Sequence, residues 1–181
     1  DVVLVTCQFE RMVLDTKVVF DAKGQVTGLF FVPSHAAAEA SGPPPAYADK
    51  DRFDEREVTV GTGEWQLPGT LTMPKGGGPF PAVVLVHGSG PQDRDETMGP
   101  NKPFKDIAWG LASRGVAVLR YDKRSKVYGP KMAKMANMGK MDNFTVKEEV
   151  IDDALAAVKV LRGSARIDPK RVFVLGHSNG S

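Results

Sequence analysis

Three short apolar runs between residues 80 and 176 leave this chain few ways to fold. In "FPAVVLVHGSG" every position from Ala82 to Val86 is apolar, and "VAVLRYD" (116–122) and "RVFVLG" (171–176) repeat the pattern. A strand with one face in water alternates between polar and apolar residues. Strands like these are buried on both faces, as in a parallel sheet covered by helices. Helical patterns separate the runs. Over 103–114, Pro103 suits a first helical position, Phe104, Ile107, Ala108, Leu111 and Ala112 share a face, and Gly115 is a stop. A second helix opens on the capping box Thr145-Val146-Lys147-Glu148, aligns Val150, Ile151, Ala154, Val158 and Leu161, and ends near Gly163. Asp168-Pro169 breaks the chain before the third run. Strand–helix–strand–helix–strand implies an α/β fold with right-handed crossovers.

The grammar differs upstream. "EREVTVG" and "WQLPGTLTMP" predict an antiparallel pair, and Gly76-Gly77-Gly78 a turn. Residues 2–33 alternate with a period of two and predict three strands in an antiparallel meander, with a turn at Asp21-Ala22-Lys23-Gly24. Three strands without a helix have little to bury a face against. Residues 1–34 are therefore expected to be the C-terminal part of a small α+β accessory domain. Residues 35–50, with three consecutive prolines, form a linker in which His35 is an exposed residue. Residues 51–181 are the α/β part. Within it, "KMAKMANMGKM" spaces Met132, Met135, Met138 and Met141 three apart. Such a soft stripe suits an amphipathic turn packed on the domain, with a lid as the alternative.

Charge and composition exclude several classes. A net charge of +2 with both signs interspersed argues against nucleic acid as a partner. The short basic patch at 122–126 is expected to be a solvated loop. The single cysteine, Cys7, allows neither a disulfide within the chain nor a cysteine-based zinc site. No apolar run reaches the ~20 residues of a membrane-spanning helix. The chain starts at Asp1 inside an apolar run, so the N-terminus is expected to be processed or incomplete, which leaves localisation open.

Chemistry concentrates at the end of the third run. Gly176-His177-Ser178-Asn179-Gly180 fits G-x-S-x-G and directly follows a strand. A sharp strand-to-helix turn there brings together the residues two before and two after the serine, so both need to be very small. Gly176 and Gly180 meet that need. The turn raises the Ser178 hydroxyl at the C-terminal end of its strand, where open α/β sheets bind ligands. It also aims the Asn179 N–H at the site of a forming oxyanion. A second oxyanion N–H is expected from the loop after an earlier strand. "VLVHGSG" supplies it, with Ser89 as the donor and Gly88 as the neighbouring alternative.

"HGSGPQDRDE", "GLASRGVAVLRYDKR" and "VLGHSNG" together resemble a bacterial α/β-hydrolase of the esterase and dienelactone-hydrolase-like group, over about residues 55–181. The resemblance implies the N-terminal part of an α/β-hydrolase parallel sheet. It also implies a preceding α+β domain of nuclear-transport-factor-like shape, small carboxylic esters as substrates, an acyl-serine intermediate, and no metal or organic cofactor. Carried over, Ser178 is the nucleophile, and Ser89 and Asn179 line the oxyanion hole. Asp93-Arg94-Asp95 and Asp122-Lys123-Arg124 are expected to brace loops through ion pairs.

In this fold the triad acid and histidine follow the serine, and here only Asn179, Gly180 and Ser181 do. His87 is expected to orient the oxyanion loop. His177 is expected to point away from its neighbour Ser178. The expectation is a fragment cut within a domain at each end and inactive alone. A serine peptidase or acyltransferase on the same scaffold, or a non-catalytic binding protein, remains open.

Overall fold

A computed structural model describes residues 1–34, 43–140 and 144–181. His35 and Met141 lie outside them. The chain divides into two compact units, Asp1–Pro43 with Thr97–Lys102, and Pro44–Glu96 with Pro103–Ser181.

In the first unit β1 (Val2–Gln8), β2 (Val13–Phe20) and β3 (Val26–Pro33) form the antiparallel meander in the order β1-β2-β3. Asp21 builds the β2–β3 turn by accepting the N–H groups of Lys23 and Gln25 at 2.8 and 2.9 Å. Val3, Leu4, Val5, Leu29, Phe30 and Phe31 are exposed.

The second unit is a mixed sheet in the order β4-β5-β7-β6-β8. Strands β4 (Phe53–Val60) and β5 (Leu67–Pro74) are antiparallel, and β5 joins β7 (Ala117–Tyr121) antiparallel. The apolar runs become β6 (Phe80–Val86), β7 and β8 (Ile167–Gly176), with β6 parallel to both neighbours. Helices α1 (Pro103–Ala112) and α3 (Asp152–Arg162) cover opposite faces. Alternate residues of β6 serve the two layers. Val83 and Leu85 pack with Phe104 and Ala108 of α1, while Val84 and Val86 join the cluster of Ala157 and Leu161 of α3. A Val or Leu fully buried in this way contributes ~1.5–3 kcal/mol, which is why β6 carries no polar residue.

Three expectations need correction. Ile151 is exposed, and Asp153 takes the inward position between Val150 and Ala157. A wide π turn at Lys147–Ile151 precedes α3 and adds a residue that rotates the helix phase. The end of β8 is not buried: Phe173, Val174 and Leu175 are 58%, 52% and 41% exposed, because among the described residues only β6 pairs with it. Nor is the basic patch wholly solvated: Lys126 is exposed, but Lys123 and Arg124 are buried against ionic partners.

Met132 and Met135 of the stripe lie on α2 (Arg124–Asn137) and Met138 is its C-cap; the helix kinks at Tyr128 just before Pro130, where proline cannot donate an N–H. Met132 and Met135 are half-buried and Met138 is exposed. No helix among the described residues is long and apolar enough to cross a membrane.

Candidate active site

Strands β6 and β8 end side by side, with Val86 opposite Gly176, and the His177 N–H donates to the Val86 carbonyl at 3.0 Å. The chain then turns sharply. Ser178 sits at φ 53°, a left-handed conformation that costs a residue bearing a Cβ about 1–2 kcal/mol. Ser178–Gly180 form one 3-10 turn, closed by the Gly180 N–H on the His177 carbonyl at 2.9 Å.

The small residues at the ends of this turn are sterically enforced. A Cβ on Gly176 would lie 2.1 Å from the Gly180 carbonyl oxygen, and one on Gly180 would lie 2.5 Å from the His87 carbonyl oxygen. Gly88 is close-fitted but less severely. A Cβ there would stand 3.1 Å from His177 Nδ1 and 3.3 Å from Ser178 Cβ. The loop after β6 therefore lies directly against the serine turn, although 90 positions separate Gly88 from Ser178 in the chain.

Glu96 joins the two. It is 3% exposed and itself at φ 50°. Its Oε1 accepts the Gly88 N–H at 3.0 Å and lies 2.8 Å from His177 Nδ1. The Gly88 N–H is thus engaged, and among the described residues the N–H groups of Ser89 and Asn179 form no hydrogen bond. On the other side of the loop, Lys123 Nζ donates to the Gly88 carbonyl at 2.8 Å and lies 3.4 Å from Glu149 Oε1. His87 is buried beneath, against Phe104 and Tyr121. Burial pushes its imidazole down to about 4, against the opposing pull of Glu96. Its carbonyl oxygen is the backbone atom that faces Gly180.

The charged runs brace this rim. Arg94 donates to Asp122 at 3.0 and 3.2 Å and to Glu57 at 2.6 Å. Arg120 is held by Asp95 and Glu55, and Arg124 by Asp153 at 3.1 Å through Nε. Glu96 and Lys123 are the residues whose individual roles sequence reasoning missed. The only trace was an acidic residue closing "DRDE" and a lysine inside "DKR" at a strand end.

Among the described residues Ser178 Oγ has no hydrogen bond to a histidine or carboxylate. No group of three His, Cys, Asp or Glu among them is arranged to hold a metal ion.

A mixed sheet with helices on both faces, and a glycine-framed serine at the C-terminal end of a parallel strand, is an α/β-hydrolase fold. The structure of esterase Est22 matches it at a TM-score of 0.50 and 18% identity, over 80% of this chain and 40% of that one, a likeness of fold. Esterase EstD of Thermotoga maritima is 49% identical over 178 residues, which are 97% of this chain and 38% of EstD. The uncharacterized protein YfhR of Salmonella typhimurium is 26% identical over 139 residues, 77% of this chain and 40% of YfhR. The chain thus spans 38–40% of the length of these curated relatives. No protein-family model matches it.

Proposed function

We infer that these residues carry the nucleophile and the oxyanion hole of a serine hydrolase that cleaves small carboxylic esters. The observation that carries this reading is Ser178, held at φ 53° at the end of β8 and packed against Gly88. The 49% identity to an esterase supports it. Ser178 Oγ attacks the ester carbonyl, its proton passing to a base. The oxyanion forms between the N–H groups of Ser89 and Asn179. Collapse expels the alcohol and leaves an acyl-serine, which water then hydrolyses. Each well-placed donor contributes roughly 10²–10³ in rate.

The base and its carboxylate partner come from outside the residues described. The His177 Nδ1 edge is engaged by Glu96, and the His87 ring is enclosed by Phe104 and Tyr121. A serine hydroxyl without a base is a weak nucleophile at neutral pH, so the 181-residue chain alone is expected to be inactive.

In the whole protein, hydrolysis of p-nitrophenyl acetate and fluorophosphonate labelling should both disappear in Ser178→Ala. A whole protein that is never labelled at Ser178 would be a non-catalytic binder. Turnover faster on peptide amides than on esters, or transfer to an added alcohol outpacing hydrolysis, would replace esterase by peptidase or acyltransferase.

A further inference from the structure

We propose that Lys123 is a positioning residue that sets the direction of the oxyanion donor at Ser89, an assignment that rests on the reading of Ser178 as nucleophile. The Gly88 carbonyl and the Ser89 N–H belong to one planar trans peptide unit and point in opposite directions. Holding the carbonyl therefore fixes where the N–H points. Lys123 Nζ holds it at 2.8 Å, from a side chain only 4% exposed.

The need for an anchor follows from the residue that precedes the donor. Gly88 has no Cβ to restrain its ψ, so the Gly88–Ser89 peptide can swing as a unit about its flanking bonds. Two contacts oppose the swing. Glu96 fixes the preceding peptide through the Gly88 N–H at 3.0 Å, and Lys123 fixes the donor peptide itself. The lysine is in turn held in place: its backbone N–H donates to the Gln92 carbonyl at 3.1 Å, and Glu149 Oε1 lies 3.4 Å from its ammonium. The Gln92 amide reaches back to the Ser89 carbonyl at 3.1 Å, closing the loop on itself.

The contact also has an electrical consequence. An ammonium on a carbonyl oxygen makes a charge-assisted hydrogen bond and polarises the peptide, which strengthens the N–H at its other end as a donor. That gain is largest when an anion forms in front of the N–H. The contact therefore favours the transition state over bound substrate, and its loss falls on kcat rather than KM.

The test is Lys123→Met in the whole protein, with kcat normalised to active sites titrated by the p-nitrophenol burst. The expected result is a kcat lower by roughly 10- to 100-fold, within the loss expected for one oxyanion donor. KM should stay within about threefold. Affinity for a trifluoromethyl ketone, which mimics the tetrahedral intermediate, should fall by the same factor as kcat/KM. Lys123→Gln, which keeps a donor at shorter reach, should show a smaller loss of the same kind and covers the case in which K123M does not fold. A kcat per titrated site within twofold of the wild type in whichever variant folds, with only thermal stability reduced, overturns the assignment. Ser178→Ala distinguishes the two failures. If S178A still turns over ester, the functional reading is wrong. If S178A is dead and K123M is normal per site, only the role of Lys123 falls.

Discussion

A methyl group on Gly176 would stand 2.1 Å from the Gly180 oxygen, a distance that no side-chain movement relieves, because the Cβ is fixed to its Cα and the atom it meets is backbone. Gly176→Ala should therefore cost about 3 kcal/mol or more, at the upper end of overpacking substitutions. Thermal unfolding would show this as a fall of roughly 2–4 °C per kcal/mol. Ser178→Gly should act the other way and stabilise by about 0.5–1 kcal/mol while abolishing activity, since it relieves a left-handed backbone at φ 53°. A destabilised S178G would mean that the turn carries no strain. His87 makes a prediction in pH. Its imidazole lies below its ordinary 6.5, at about 4, chiefly through burial, with Lys123 acting the same way and Glu96 and Asp122 opposing. The unfolded chain therefore binds the proton first. The contribution to stability is whole above pH 6.5 and is lost as pH falls toward 4, by roughly 3 kcal/mol in total. Denaturant titrations between pH 7 and pH 4 should show that slope, and His87→Gln should flatten it.

Among the elements, α2 is pinned at its start. Arg124 meets Asp153 of α3, the Tyr128 hydroxyl donates to the Gln66 carbonyl at 2.7 Å, and Lys131 pairs with Glu64 at 2.8 Å while lying 4.1 Å above the Trp65 ring. Burial raises the Asp153 carboxyl despite the opposing hydrogen bonds from Arg124, so desolvation outweighs attraction in this pair. Asp153→Asn should then cost about 3–5 kcal/mol by stranding a buried guanidinium, whereas replacing Arg124 by Met together with Asp153 by Leu should recover most of that loss. Urea unfolding of the single and double variants checks both. This pair also shows where local pattern stops being informative. An apolar period of 3.6 pointed to Ile151 as an inward residue. One π turn displaced the frame and put Asp153 there, and no propensity signals such a turn. Val83, Val84 and Leu85, by contrast, were legible as doubly buried because each has its own covering layer.

At the scale of the molecule, the open flank of β8 decides how the 181-residue chain behaves when expressed alone. Phe173 and Leu175 project on one side and Val174 on the other, all exposed beside an edge with no strand pairing it among the described residues. The 181-residue chain expressed alone should self-associate, as read by light scattering, and Phe173→Lys with Leu175→Lys should reduce this. A monodisperse monomer would contradict that expectation. "RVFVLG" by itself reads as buried, and its exposure follows only from counting the strands available to pair with it, because an edge is defined by its neighbours and not by its own residues. The glycine-framed serine was legible for the opposite reason: steric demands such as those at Gly176 and Gly180 leave few residue types possible. Glu96 was hidden because its role depends on a loop folding back eight residues through a left-handed glutamate.

The grip on the serine turn has a consequence for the order of synthesis. Gly88, Glu96 and Lys123, and the strands β6 and β7 that position them, all precede Ser178 in the chain. When the strained serine leaves the ribosome, the loop after β6 that packs against it, with Glu96 and Lys123 that brace that loop, has already been made. The least favourable backbone conformation of the turn is thus asked for after a rim that can already be standing to receive it.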